Sequence, residues 1–68
     1  MKIVVNTTFG VFGVSKKIII ENDNEPLMVE LFEKLTEAIE QNYIYGYNTI
    51  VELYDKNGKK IKYIEAEF

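Results

Sequence analysis

From Leu27 to Ile39 the apolar residues recur at three- and four-residue intervals, and no other run constrains the fold as strongly. Leu27, Met28, Leu31, Phe32, Leu35, Ala38 and Ile39 follow the i, i+3, i+4, i+7 rule of an amphipathic helix. At roughly 100° per residue they share an arc of roughly 140°. Glu30, Glu33, Glu37 and Glu40 occupy roughly 80° on the opposite side. Asn22-Asp23-Asn24-Glu25-Pro26 is an entry signal: Asp23 or Asn24 can cap, and Pro26 suits the first turn, where an N–H has no partner to lose. The helix is expected to reach about Asn42, with Gly46 supplying a left-handed residue beyond it.

The flanking segments read as strands. The first runs from Lys2 to about Thr8, with Val4 and Val5 buried. Phe9 to Val14 turns or bulges around Gly10 and Gly13. Ser15 admits two readings. It can cap a short helix beginning at Lys16, or it precedes a strand from Lys17 to Glu21 whose consecutive isoleucines favour extended backbone. The strand is preferred.

A hairpin closes the chain, with Thr49 to Tyr54 and Lys60 to Phe68 as its arms. Asn57-Gly58 signals a type I′ turn, in which both central residues take positive φ. That centre would pair Lys56 with Lys59, Asp55 with Lys60 and Val51 with Ile64. Opposed residues share a face. One face then carries Tyr47, Thr49, Val51, Leu53, Ile64, Ala66 and Phe68 toward the helix. The other carries Ile50, Glu52, Tyr54, Ile61, Tyr63 and Glu65. The expected fold is α+β: about four antiparallel strands on one amphipathic helix, in the order β-β-α-β-β, as a single domain over residues 1–68.

Composition narrows the chemistry. The chain has 68 residues, 47% hydrophobic and 28% charged, which suits a small globule with a thin stability margin. It contains no cysteine and no histidine, so disulfides and the usual nitrogen and sulfur metal ligands are absent. Self-association is the remaining way to strengthen so small a core, and a homodimer is the favoured form. Without imidazole or thiol, the common nucleophile arrangements do not form. Ser15 beside Lys16 and Lys17 is read as a turn hydroxyl and solvated lysines. No enzymatic activity and no cofactor are expected. A net charge of −3 disfavours nucleic-acid binding. The apolar run after Lys2 is too short for a membrane span or a signal peptide, so a cytoplasmic location is expected.

Two candidate sites remain. Tyr54 and Tyr63, beside Ile50 and Ile61, would form an aromatic patch, and Glu33 and Glu37 an acidic helix face, for a partner protein. Phe9, Gly10, Phe12, Gly13, Ser15 and Lys16 would form a turn for a small anion or nucleotide. The phosphate-loop pattern proper is absent there. The simpler account is a turn anchored by its phenylalanines.

The opening strand with Ile3, Val4, Val5 and Asn6, followed by Phe9, Gly10, Phe12, Gly13, Val14 and Ser15, resembles a group of small bacteriophage and prophage accessory proteins. In that group a similar strand leads into a Phe-Gly-Gly-Phe-Gly-Leu-Ser-like segment. Asn24-Glu25-Pro26-Leu27-Met28-Val29-Glu30-Leu31 is similar to its helix start, and Val11 stands where the group has its second glycine. The resemblance implies a small accessory protein inside a bacterial host. Such a protein would bind and inhibit or modulate a host protein, a defence factor among the candidates. The alternatives are an oligomeric binder of an anionic ligand or nucleotide and a structural subunit of a viral assembly.

Overall fold

The structure is a computed structural model that describes residues 1–9, 13–41 and 47–67. Its elements are β1 (Lys2–Phe9), β2 (Val14–Glu21), α1 (Glu25–Gln41), β3 (Tyr47–Tyr54) and β4 (Lys60–Glu67). They form a four-stranded sheet in the order β2-β1-β3-β4, each neighbour antiparallel, with α1 packed on one face. The expected α+β fold and its β-β-α-β-β order are therefore observed. The expected helix end at Asn42 and the role of Gly46 lie outside the described residues, as do Gly10, Val11, Phe12 and Phe68.

Strand order follows from burial. β1 is central and apolar on both faces over Ile3, Val4 and Val5: Ile3 and Val5 face α1, and Val4 is buried among its neighbours on the other face. β2 and β3 flank it, so they run parallel to each other. Parallel strands need a crossover connection, and α1 supplies it. Of the two readings at Ser15, the strand is the one that forms, and it is longer than expected, starting at Val14. β1 needs a partner for the N–H and C=O groups along that edge, and the β-branched Ile18, Ile19 and Ile20 suit a pleated strand. Gly13, at φ 64°, turns the chain into β2.

At the helix start, Asn24 rather than Asp23 is the cap. Its Oδ1 accepts the Leu27 N–H at 3.1 Å, and its own N–H donates to Asn22 Oδ1 at 2.8 Å. Such a cap contributes about 1 kcal/mol.

Between α1 and the sheet lies the core. Ile3, Val51, Leu53 and Met28 are fully buried, and Phe32 nearly so. Val5, Ile20, Val29, Leu31, Leu35, Ile39 and Ile64 pack around them half-buried. Thr7 and Thr49 pair their hydroxyls at 3.4 Å beside this core. The sequence places Leu27 and Ala38 in the apolar stripe, but both are exposed, and Val29 is recruited instead. Relative to the row through Met28, Phe32, Leu35 and Ile39, Leu27 and Ala38 lie roughly 100° to one flank and Val29 roughly 100° to the other, and of these two margins it is the Val29 one that packs on the core. α1 packs over β3 and touches β1 and β4, while β2 lies furthest from it and joins the core through Ile20. No described helix is long and apolar enough to cross a membrane.

Candidate functional site: the uncovered sheet face

The β3–β4 connection decides which side chains share the outer face. Only glycines take positive φ among the described residues, so Asn57 does not, and the expected type I′ turn is not formed. Asp55 Oδ1 accepts the N–H groups of Asn57 (2.8 Å) and Lys59 (2.9 Å). Gly58 at φ 83° donates its N–H to Asp55 O at 3.1 Å, and Asp55 N–H donates to Lys59 O at 2.9 Å. Captured by the aspartate, the loop becomes a three-residue turn with glycine in the left-handed position.

This turn moves the register by one residue. Asp55 bonds Lys59 and Tyr54 opposes Lys60, in place of the expected Lys56–Lys59 and Asp55–Lys60 pairs. A one-residue slip carried along β4 would send its apolar side chains to the wrong face. A bulge cancels it. The register shifts between Leu53 and Tyr54, Ile61 is left unpaired, and Leu53 opposes Lys62. The expected Val51–Ile64 pair is thereby recovered. Ile61, expected beside Tyr54, is the unpaired residue, and Lys60 takes that place.

The uncovered face is built from residues of all four strands: Lys2, Val4 and Asn6 of β1, Lys17, Ile19 and Glu21 of β2, Ile50, Glu52 and Tyr54 of β3, and Lys60, Tyr63 and Glu65 of β4. Glu52 lies near its middle with its side chain 15% exposed. Its Oε2 accepts the Tyr54 O–H at 3.0 Å and forms an ion pair with Lys60. Lys2 Nζ stands 5.0 Å from the centre of the Tyr54 ring, and Lys60 Nζ 5.4 Å from that of Tyr63. Val4 is buried even though no helix covers it. Tyr63 and Ile19 stay open, 64% and 52% exposed.

The hydrogen bond from Lys60 is the main reason the Glu52 carboxyl is held below its ordinary 4.5; partial burial opposes this and the Tyr54 hydroxyl adds to it. Glu52 in turn raises both the Tyr54 phenol and the Lys60 ammonium, through its hydrogen bonds to them. All three shifts move away from neutrality, opposite to the tuning that proton transfer at neutral pH requires. The network neutralises charge on the face.

A lowered carboxyl stabilises the fold above its ordinary titration range, and that contribution is lost as pH falls through the folded-state value. The raised Lys60 acts oppositely, stabilising below 10.5 and losing its effect as pH rises through its folded value. Glu52→Gln is therefore expected to flatten the acid limb of a melting-temperature profile between about pH 5 and 3. Parallel acid limbs for variant and wild type would show that the Glu52 network contributes nothing to stability.

The other expected site residues are dispersed. Glu33 and Glu37 are exposed on α1, across the sheet from Tyr54 and Tyr63, so they form no common patch with them. Glu33 Oε1 lies 3.8 Å from Lys62 Nζ. Ile50 is half-buried on the tyrosine face. Gly10 and Phe12 of the proposed anion turn lie outside the described residues, and Phe9 pairs through its backbone with Val14 and Tyr47. Ser15 and Lys16 are successive residues of β2, so they project to opposite faces and do not line one cradle. Among the described residues no cluster of carboxylates could hold a metal ion. A depression of about 310 Å³ at the end of the sheet, lined by Met1, Asp23, Glu25, Asp55, Lys56 and Asn57, is no exception.

Sequence reasoning missed Lys2, Lys17 and Lys60 as members of the face. Alternation carried the signal for the first two, once strand order is known; the bulge concealed the third. Comparison of the chain with protein-family models, with curated proteins and with solved structures finds no match.

Proposed function

We propose that this protein is a non-enzymatic binding module that docks the uncovered sheet face onto a protein partner. On this reading it is a phage-type accessory protein that inhibits or modulates a host protein in the bacterial cytoplasm. The observation that carries the reading is Tyr63, a large aromatic left 64% exposed on a face that α1 does not cover. Buried tyrosines are frequent anchors of binding energy at interfaces. Ile19 and Ile50 supply further apolar area, and Lys2, Lys17 and Lys60 share the face with Glu21, Glu52 and Glu65. The exposed glutamates of α1 lie on the other side of the molecule. The complementary surface is an apolar pocket that takes the Tyr63 ring, with a rim of both charges to match the lysines and glutamates of this face. The anion-turn alternative has less support, because Ser15 and Lys16 diverge.

Tyr63→Ala is the cleaner test, since Tyr54→Ala also removes the hydrogen bond to Glu52. The variant is expected to keep the wild-type circular dichroism spectrum. It should retain a captured host protein roughly 10- to 100-fold more weakly. Equal retention by variant and wild type would clear the face of a binding role. Tyr63-dependent binding of a labelled oligonucleotide, without any protein capture, would replace this reading with a nucleic-acid one.

A further inference from the structure

We infer that β2 is a self-pairing edge, along which two copies of the chain join antiparallel into one continuous eight-stranded sheet centred on Ile19. The two edges of the sheet differ. Both carry charges, Lys60, Lys62 and Glu65 on β4 and Lys16, Lys17 and Glu21 on β2, but β4 also carries a bulge, which discourages strand addition. β2 runs in unbroken register with β1 over eight residues, has no proline, and among the described residues leaves its other edge unpaired. Ile20 packs half-buried against the core, but Ile18 (49% exposed) on the helix side and Ile19 on the other side are both open. A long, regular edge with an apolar centre at residues 18–20 is a template for another strand.

The strand's own sequence selects a second copy as the occupant. Opposed residues of an antiparallel pair share a face, so a two-fold pairing must centre on a residue. Centring on Ile19 sets Ile19 against Ile19, Ile18 against Ile20, and Lys17 against Glu21, the last two twice by symmetry. Apolar meets apolar and each lysine meets a glutamate. Centring on Ile18 opposes Lys17 to Ile19 and Lys16 to Ile20. Centring on Ile20 sets Ile19 against Glu21, and centring on Lys17 sets lysine against lysine. Only the Ile19 register leaves no mismatch. It also brings the two strips left bare by α1 side by side, between the two helices.

Charge exchange tests the register. Wild type is expected to sediment at twice its 7.9 kDa chain mass at micromolar concentration. Lys17→Glu sets glutamate against glutamate and Glu21→Lys sets lysine against lysine, and each is expected to weaken self-association by about tenfold or more. An equimolar mixture of the two variants re-creates both opposite-charge pairs and should recover the dimer, which also shows that each variant folds. A monomeric wild type overturns the inference, including the case in which this edge takes up a strand of another protein. So do single variants that dimerise as wild type does, or a mixture that stays monomeric. The inference is independent of the binding role of the outer face: Tyr63 lies on β4, at the far edge, and Tyr63→Ala should leave the dimer intact.

Discussion

Leu53→Ala is expected to lower stability by about 3 kcal/mol, enough to leave a large part of the population unfolded under mild denaturant. Leu53 is fully buried on β3, opposite Ile3 of β1, at the centre of the layer between sheet and helix. A chain of 68 residues has a total stability of roughly 3–10 kcal/mol. The lost side chain therefore takes away a large share of it, through forfeited burial and through the cavity left behind. Urea titration followed by far-UV circular dichroism should show the midpoint falling by roughly 2 M at unchanged slope. A midpoint within about 0.5 M of wild type would mean that this layer is not the core.

Phe32→Ala should cost about 3–5 kcal/mol, while Leu27→Ala, on the same helix, should cost less than about 1 kcal/mol. Periodicity alone assigns both to one apolar stripe. The fold separates them: Phe32 is nearly buried against the sheet, whereas Leu27 is 48% exposed at the stripe's margin. Because the two substitutions sit five positions apart on α1 and both introduce the best helix former, propensity does not explain a difference. Comparable losses from the two, measured in the same urea titrations, would mean that the helix is rolled toward Leu27 and that its contact line differs from the one described.

How legible the fold was depended on the range of the interaction. The helix could be read because its period is written in consecutive side chains, and the hairpin because Asp55 to Lys59 is a self-contained turn. Even there the turn type was missed: the Asp55 carboxylate takes the Asn57 and Lys59 N–H groups, and this favours a three-residue loop over the two-residue one. The consequence reached further than the turn. Lys60 moved onto the outer face, where it pairs with Glu52 and stands over Tyr63, and Ile61 dropped out of the ladder. The tyrosine face was anticipated from alternation along β3 and β4. Its lysines on β1 and β2 were not, because alternation within a strand does not say which strands are neighbours. Grouping Glu33 and Glu37 with the tyrosines failed for the same reason: two well-defined faces of separate elements ended on opposite sides of the sheet.

The amino-acid order on its own determined the kinds and number of elements, the two-faced character of α1, and the absence of thiol and imidazole groups. Each of these is a property of residues close together in the chain or of composition. Only the tertiary structure decided that β1 is central and β2 an edge, which row of α1 is buried, and that a bulge at Ile61 restores the register the turn had shifted. Those outcomes depend on which distant segments compete for the backbone groups of β1 and for the apolar area above β3, and that competition is settled only when all the strands are assembled.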